Sequence, residues 1–205
     1  PGEQKDRPLS RPHTRPDAPH LSWFSKYRRH RLRRLHRHPP IAPGRPPADL
    51  AAPFDVAWVA LSKGLGAPAG SLIAGPRELI ARAVRYRRML GGAMRQAGLL
   101  AAAGTYALAH HYERLADDHA NARLIAERLA ATSHVRLDLS TVETNIVIFH
   151  LPDDGPDAVT VLARAREQGV LVIQFGPRTV RAVTHLDVTR EQCATAADIL
   201  VAVTT

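Results

Sequence analysis

The sequence predicts an α/β protein that has a small α+β domain near its C-terminal end and a compositionally different segment near its N-terminal end. Three observations support this prediction. The apolar run 55–61 is typical of a buried strand, and a glycine-rich loop follows it. An alanine-rich stretch with helical spacing then covers about 95–131. Four strand-like segments and two further helices complete the chain, which is the pattern of a mixed α/β architecture.

The first quarter of the chain carries the unusual charge. Of the 28 Lys and Arg among the 205 residues, 12 lie in residues 1–48, together with only 3 Asp and Glu and 10 of the 16 prolines. The remaining residues hold 16 basic and 16 acidic side chains. Because prolines at this density interrupt helices and strands, we expect 1–48 to be disordered, with at most a short basic helix within 28–38. The net charge of +9 therefore belongs to one segment and not to the globular part.

Three interpretations of 1–48 stay open. The segment could be a basic arm that binds nucleic acid or an acidic surface weakly, or a targeting peptide, or sequence that is not native. We favour the third, a frameshifted or truncated gene model, because sequence rich in Arg, Pro and His is what a GC-rich gene yields in the wrong frame. A nucleic acid is therefore not an expected partner. His30, His36 and His38 are not expected to bind a metal, since no further ligand lies near them.

Cysteine and hydropathy patterns exclude two other classes. One cysteine cannot form a disulfide framework or a thiolate zinc site. No apolar run approaches the ~18 residues that a membrane-spanning helix requires, so no membrane partner is expected.

The elements of the globular part are predicted as follows. After the strand 55–61 and the loop 62–71, a second strand covers 72–75, and Pro76 opens a helix that extends to about Leu90. The stretch 95–131 is expected to bend near His110 and His111. Further strands are predicted at 135–139, 144–151, 170–175 and 179–184, and helices at 157–168 and from Thr189, where Gln192 completes a capping box. We expect 49–131 to form one unit and 132–205 a second, smaller α+β domain.

The loop after the first strand contains the best candidate for chemistry. Its glycines are spaced G-x-G-x-x-x-G with a proline between them, which does not match a dinucleotide-binding fingerprint. Lys63 stands at the carboxyl end of the strand, where α/β proteins place their sites. Small residues surround it, so a planar ligand can approach its amine. A desolvated lysine amine loses its proton easily and condenses with an aldehyde, as a pyridoxal-phosphate enzyme requires.

Five segments occur in an order that resembles one enzyme family. They are LSKGLGAP at 61–68, GGAMRQAG at 91–98, DHANA at 118–122, TN at 144–145 and THLDV at 184–188. Together they resemble the low-specificity L-threonine aldolases, in the β-eliminating lyase group of fold-type-I pyridoxal-phosphate enzymes. The resemblance extends from about Gly44 to the C-terminal end. It implies the C-terminal portion of a fold-type-I transferase fold, with the end of the large domain followed by the small one.

The resemblance also implies roles for three residues. Lys63 matches the lysine that binds pyridoxal 5'-phosphate covalently, and Arg181 matches the arginine that binds the substrate α-carboxylate. Arg95 matches a basic residue near the cofactor phosphate. No metal site is implied. The implied reaction cleaves L-threonine or L-allo-threonine to glycine and acetaldehyde, in a cytoplasmic homotetramer whose active sites lie at subunit contacts.

Other prominent residues have simpler interpretations. His119 and Asn121 are expected to be structural, and Cys193 is expected to be a small buried hydrophobe. The run 101–104 is expected to provide close helix packing. For His185, both a place in the site and a place in the hydrogen-bonded core stay open.

The family places further groups ahead of its lysine, and no segment of this sequence matches them. They are a glycine-rich turn for the phosphate, a histidine stacked on the ring, and an Asp with a nearby Arg at the ring. We therefore expect a truncated and impaired enzyme. Two alternatives stay open: a non-catalytic interaction protein with a basic arm at 28–37, and a related pyridoxal-phosphate lyase or racemase.

Overall fold

A computed structural model of the chain describes residues 32–34, 48 and 51–205. The remaining residues of 1–50 lie outside this description, and with them most of the segment expected to be disordered and most of the basic arm at 28–37. Residues Leu32–Arg34 form a short strand, β1, which pairs in parallel with the strand Val56–Ala60, β2. At these three residues the structure therefore has a strand where the sequence suggested disorder or a short helix.

The first part of the described chain is a small sheet followed by exposed helices. β2 also pairs, antiparallel, with β3 at Ser71–Ala74, so the sheet order is β1-β2-β3. Helix α1, Arg77–Met89, begins directly after Pro76, and none of its residues is buried by the described part of the chain. Helix α2 follows at Gly98–His110.

The long helical stretch is broken close to the place predicted. After α2, residues 111–114 interrupt the helix, and α3 covers Leu115–Ala130. α2 contributes Ala107 to a small core around the Lys63 loop. α3 joins the same core through Leu115 in its first turn, and it also contributes Ile125, Ala126 and Leu129 to the larger C-terminal core.

The C-terminal part is an antiparallel sheet covered by helices. Strands β4 (Ile146–His150), β5 (Ile173–Gly176) and β6 (Thr179–Val183) lie in the order β4-β6-β5. Helix α4, Ala158–Glu167, begins at its cap Asp157, and α5, Arg190–Val203, begins at Thr189. The largest fully buried side chains of the core come from both layers; among them are Phe149, Leu129, Leu200, Val147, Val161 and Val180.

Two predictions about this region have different outcomes. The capping box of α5 is confirmed, because Gln192 N donates to Thr189 Oγ1 and Thr189 N donates to Gln192 Oε1. The strand predicted at 135–139 is wrong: only Arg136 forms a bridge, to His150, and a 3₁₀ turn begins at Leu139. Asp138 ends the extended segment because its carboxylate accepts from Ser140 N and favours a turn over a ladder.

Candidate active site

Lys63 lies in a loop whose backbone is tied into a compact shape. The loop joins β2 to β3, and its two ends are connected where Leu61 N donates to Gly70 O at 3.0 Å. Inside it, Gly66 N donates to Lys63 O at 2.8 Å, and Gly66 has a φ of +69°. Glycine reaches this left-handed conformation at no steric cost, so the sequence pattern around Lys63 specifies the turn.

Two neighbouring elements hold this loop. His111, at the end of α2, lies with Nδ1 2.7 Å from Leu65 O, so an Nδ1–H group donates to this carbonyl. On the other side, a Cβ atom built at Gly66 would lie 2.9 Å from Leu186 Cδ2. The position of the loop is therefore fixed between α2 and the turn that follows β6.

Arg181 reaches the site from the C-terminal sheet. It lies on the central strand β6, where its partners are Ile148 on β4 and Ile173 on β5. Its Nε atom is buried and has no hydrogen-bond partner among the described residues. A buried donor without a partner costs free energy, and an anion that accepts a hydrogen bond from it would remove this cost. A carboxylate matches the fork of a guanidinium best.

Lys63 and Arg181 line the same cleft, although they are far apart in sequence. The cleft has a volume of about 950 Å³, which is within the range of small-molecule sites. Its remaining walls combine the glycine loop, one face of the three-stranded sheet and the turn after β6; besides the two basic residues they include Ser62, Gly64, Gly66, Ala67, Asn145, Ile146, Ile148, Ile173, Phe175, Val183, His185, Leu186 and Asp187.

The structure corrects one expectation about Lys63 and separates Arg95 from it. Lys63 is exposed, so its amine is accessible, as the small neighbouring residues suggested, but the described residues do not bury it as a desolvated amine would require. Arg95 lies in the exposed connection between α1 and α2 and is not among the residues that line the cleft. Within the described part of one chain, the structure therefore brings together Lys63 and Arg181 but not Arg95.

His185 lies in the cleft wall and not in the core. Its Nδ1 is 3.3 Å from Asp187 Oδ2, and both side chains are largely exposed. Asn145 also lines the cleft, a residue for which the sequence alone gave no role. The available signal was an amide residue directly before the apolar strand 146–150.

Two of the remaining candidates are buried. Asn121 is buried within α3, and Cys193 is 3% exposed in the C-terminal core. Burial, and to a smaller extent the Asp118 carboxylate, raises the pKa of the Cys193 thiol. Gly104 packs so closely that a Cβ there would lie 2.8 Å from Leu61 Cδ1, as the packing interpretation of 101–104 requires at this residue, whereas Ala101 and Ala102 are exposed in the described part of the chain.

Two features are absent from the described residues. No helix among them is long and apolar enough to cross a membrane. No group of three or more His, Cys, Asp and Glu in this part of the chain is arranged to hold a metal ion.

Solved structures define the class of the fold. The chain superposes with a TM-score of 0.68 on a Listeria monocytogenes structure that carries the name L-allo-threonine aldolase, at 15% identity, over 89% of this chain and 54% of that one. It superposes with a TM-score of 0.56 on a methionine gamma lyase from Micromonospora echinospora, at 19% identity, over 75% of this chain and 50% of that one. The described residues form part of the fold-type-I pyridoxal-phosphate enzyme fold.

The particular family follows from sequence. The family model described as beta-eliminating lyase matches residues 40–152, and the chain belongs to this family. A low specificity L-threonine aldolase of Escherichia coli O157:H7 is 42% identical over 154 residues, which are 75% of this chain and 44% of that protein. A probable low-specificity L-threonine aldolase 2 of Arabidopsis thaliana is 38% identical, over 71% of this chain and 41% of that protein. The chain thus spans less than half the length of these curated relatives.

Proposed function

We propose that this chain is the lysine-bearing part of a pyridoxal-phosphate-dependent lyase that cleaves L-threonine and L-allo-threonine to glycine and acetaldehyde. The observation that carries the proposal is the shared cleft of Lys63 and Arg181. One residue supplies an amine and the other a guanidinium, which are the groups needed for an aldehyde cofactor and an amino-acid carboxylate. The names of the relatives support the choice of substrate.

The described residues fit the cofactor at its reactive end. The amine of Lys63 is exposed to the cleft and can bond to the aldehyde carbon, and the buried Nε of Arg181 lacks an acceptor that a carboxylate would supply. When bound, the cofactor supplies an electron-accepting ring that stabilises the carbanion left by bond cleavage. Groups for the ring nitrogen and phosphate are not assigned among the described residues.

The chain's own residues have three tasks in this proposal. Arg181 binds the carboxylate and so fixes which bond of the substrate α-carbon faces the cofactor ring. Cleavage removes a proton from the β-hydroxyl of the substrate and returns one to the α-carbon, and the Lys63 amine, which is exposed to the cleft, would hold the proton for the α-carbon. His185 and Asn145 line the cleft beside them and limit the space for the substrate side chain.

Turnover by the full chain tests the proposal. With added cofactor, acetaldehyde release is expected from L-threonine and L-allo-threonine, and none from the Lys63→Ala variant. Racemisation of alanine or elimination from serine, with no cleavage of threonine, would instead support the related lyase or racemase. Cofactor binding without any turnover would leave a non-catalytic binding protein and contradict the proposed reaction.

We propose that Arg95 takes part from another chain. It does not line the cleft formed by the described residues of its own chain, and a second copy whose cleft faces the α1–α2 connection would bring Arg95 to a cofactor phosphate. A homo-oligomer with shared sites, as the resemblance implies, would provide this arrangement.

A further inference from the structure

A buried group of three polar residues includes Asn145 of the cleft wall, and the hydrogen bonds within this group have no part in the proposed reaction. Asp118 on α3, Asn145 before β4 and Thr184 after β6 are 0%, 5% and 2% exposed. Polar groups at this depth must be hydrogen-bonded to be tolerated. Their bonds show what they connect.

Thr184 is the point at which these bonds meet. Its Oγ1 donates to the backbone carbonyl of Asp118 at 2.6 Å. Its backbone N donates to Asn145 O at 3.0 Å, and its own carbonyl accepts from Asn145 Nδ2 at 2.7 Å. One residue therefore joins the end of β6 to the start of β4 and to helix α3.

The Asp118 side chain adds a charged anchor to this group. Its Oδ1 accepts from Arg114 Nη2 at 2.5 Å, while Asp118 Oδ2 and Arg114 Nη1 are buried with no hydrogen-bond partner in the described part of the chain. The Arg114 side chain is 22% exposed, so the ion pair is only partly buried, and an ion pair with buried unpaired atoms gives little net stability compared with apolar packing. Stability alone therefore does not explain its presence.

The location of the group suggests what it does. Arg181 lies on β6, which ends directly before Thr184, and His185 and Leu186 follow Thr184 in the cleft wall. Leu186 also packs against Gly66 in the Lys63 loop. Strand ends that lack such hydrogen bonds open locally at low free-energy cost. Opening at the end of β6 would move Arg181 relative to Lys63.

We propose that Thr184, held by Asp118 and Asn145, is a positioning residue that fixes Arg181 and the turn after β6 relative to Lys63. The inference rests on the proposed function only for its predicted effect on threonine turnover. Its structural consequence is that Arg181 Nε–H stays buried in the free protein.

The first experiment needs no cofactor and no turnover. Exchange of the Arg181 Nε–H proton is measured by NMR in the full chain and in Thr184→Val, which removes the hydroxyl but keeps the shape. Exchange is expected to accelerate by about tenfold, the effect of losing one buried hydrogen bond. Thr184→Ser, which restores the hydroxyl, is expected to restore slow exchange.

A matched control separates positioning from general stability. Thr204 is also 2% exposed, but its Oγ1 donates to Leu200 O within α5, away from the cleft. Thr204→Val is therefore expected to lower the melting temperature without accelerating exchange at Arg181. Equal exchange rates in Thr184→Val and the unaltered chain would overturn the inference.

The second experiment measures kinetics with added cofactor. Thr184→Val is expected to raise KM for threonine about tenfold and to change kcat less, with rescue by Thr184→Ser. An inactive unaltered chain would contradict the proposed function, while the exchange experiment would still decide the positioning role. If Thr184→Val and Asn145→Ala both fail to fold while Thr204→Val folds, the group supports the whole core and the inference is overturned.

Discussion

Arg181 is the residue whose exchange for a similar one is most informative. Lysine keeps the positive charge but loses the planar fork and the buried Nε donor. Arg181→Lys is therefore expected to raise KM for threonine by about ten- to hundredfold, with a smaller change in kcat. Steady-state kinetics check this, and Arg166→Lys on the exposed side of α4 is the control. Equal KM values for Arg181→Lys and the unaltered chain would remove Arg181 from the substrate site.

Gly66 carries a second prediction at this scale. Alanine there is strained because φ is +69°, and its Cβ would also meet Leu186 at 2.9 Å. Gly91 provides the matched control, since its φ of +76° is similar but no atom lies within 4 Å of a Cβ there. Gly91→Ala is expected to lower the free energy of unfolding by about 1–2 kcal/mol, which is the cost of the left-handed backbone conformation alone. Gly66→Ala is expected to lower the free energy of unfolding by more than this, as measured by urea unfolding. It is also expected to weaken cofactor binding at Lys63, as measured by absorbance titration. Equal costs would show that Leu186 moves freely.

The sequence predicted these site residues unequally, for physical reasons. Lys63 and Arg181 could be predicted from the local motifs around them. The exposure of Lys63 could not, because it depends on what packs over the loop. The position of Arg95 could not be predicted because it depends on the directions of α1 and α2. The Thr184 hydrogen bonds could not be predicted because they join residues that are distant in sequence.

Among the elements, α5 depends most clearly on its first turn. Thr189→Ala removes the side-chain oxygen that accepts from Gln192 N and is expected to destabilise the protein by about 1 kcal/mol. Thr195→Ala is the control, because the Thr195 hydroxyl bonds only to Glu191 O within the same helix. Chemical unfolding of both variants checks the prediction, which fails if both are equally stable.

The start of α4 carries a prediction about pH. A hydrogen bond from Thr160 N lowers the pKa of Asp157 below its ordinary value of 3.8. Because the folded-state pKa is the lower one, its stabilisation is present above pH 3.8 and is lost as the pH falls through the folded-state value. Asp157→Ser keeps a capping oxygen without a charge. The stability advantage of the natural residue over Asp157→Ser is expected to shrink on acidification; an advantage independent of pH would contradict the assignment.

The positions of helices and strands could be predicted well where the residues that determine them are close in sequence. The caps of α4 and α5 and the break after α2 follow from Asp157, Thr189 and the polar residues 110–114. The segment 135–139 was mistaken for a strand because its apolar alternation is the same in an extended connection, and only the turn at Asp138 decides against a ladder.

At the scale of the whole molecule, the described surface has many exposed apolar side chains. They lie mainly on β3, α1, α2 and β5; examples are Leu72, Ile73, Met89, Leu90, Leu99, Tyr106 and Phe175. Such exposure is typical of surfaces that contact other polypeptide. The sequence predicted the helices but not that α1 buries none of its residues, since this depends on the neighbours of the helix.

A mixing experiment tests whether active sites are shared between copies. Lys63→Ala and Arg95→Ala are each expected to be inactive. If Arg95 serves the cleft of a second copy, co-refolding equal amounts forms hybrids with one intact site, and roughly a quarter of the activity returns in a two-fold symmetric pair. No recovery, with hybrids shown by mass spectrometry, would contradict a shared site.

Covalent mapping of the cofactor tests the central claim most directly. The full chain is incubated with pyridoxal 5'-phosphate, reduced with borohydride to fix any carbon–nitrogen bond, digested and examined by mass spectrometry. The account predicts one dominant pyridoxyl group, on Lys63, that Lys63→Arg abolishes. Labelling of Lys5 or Lys26 to the same extent, or no labelling of Lys63 at saturating cofactor, would contradict it.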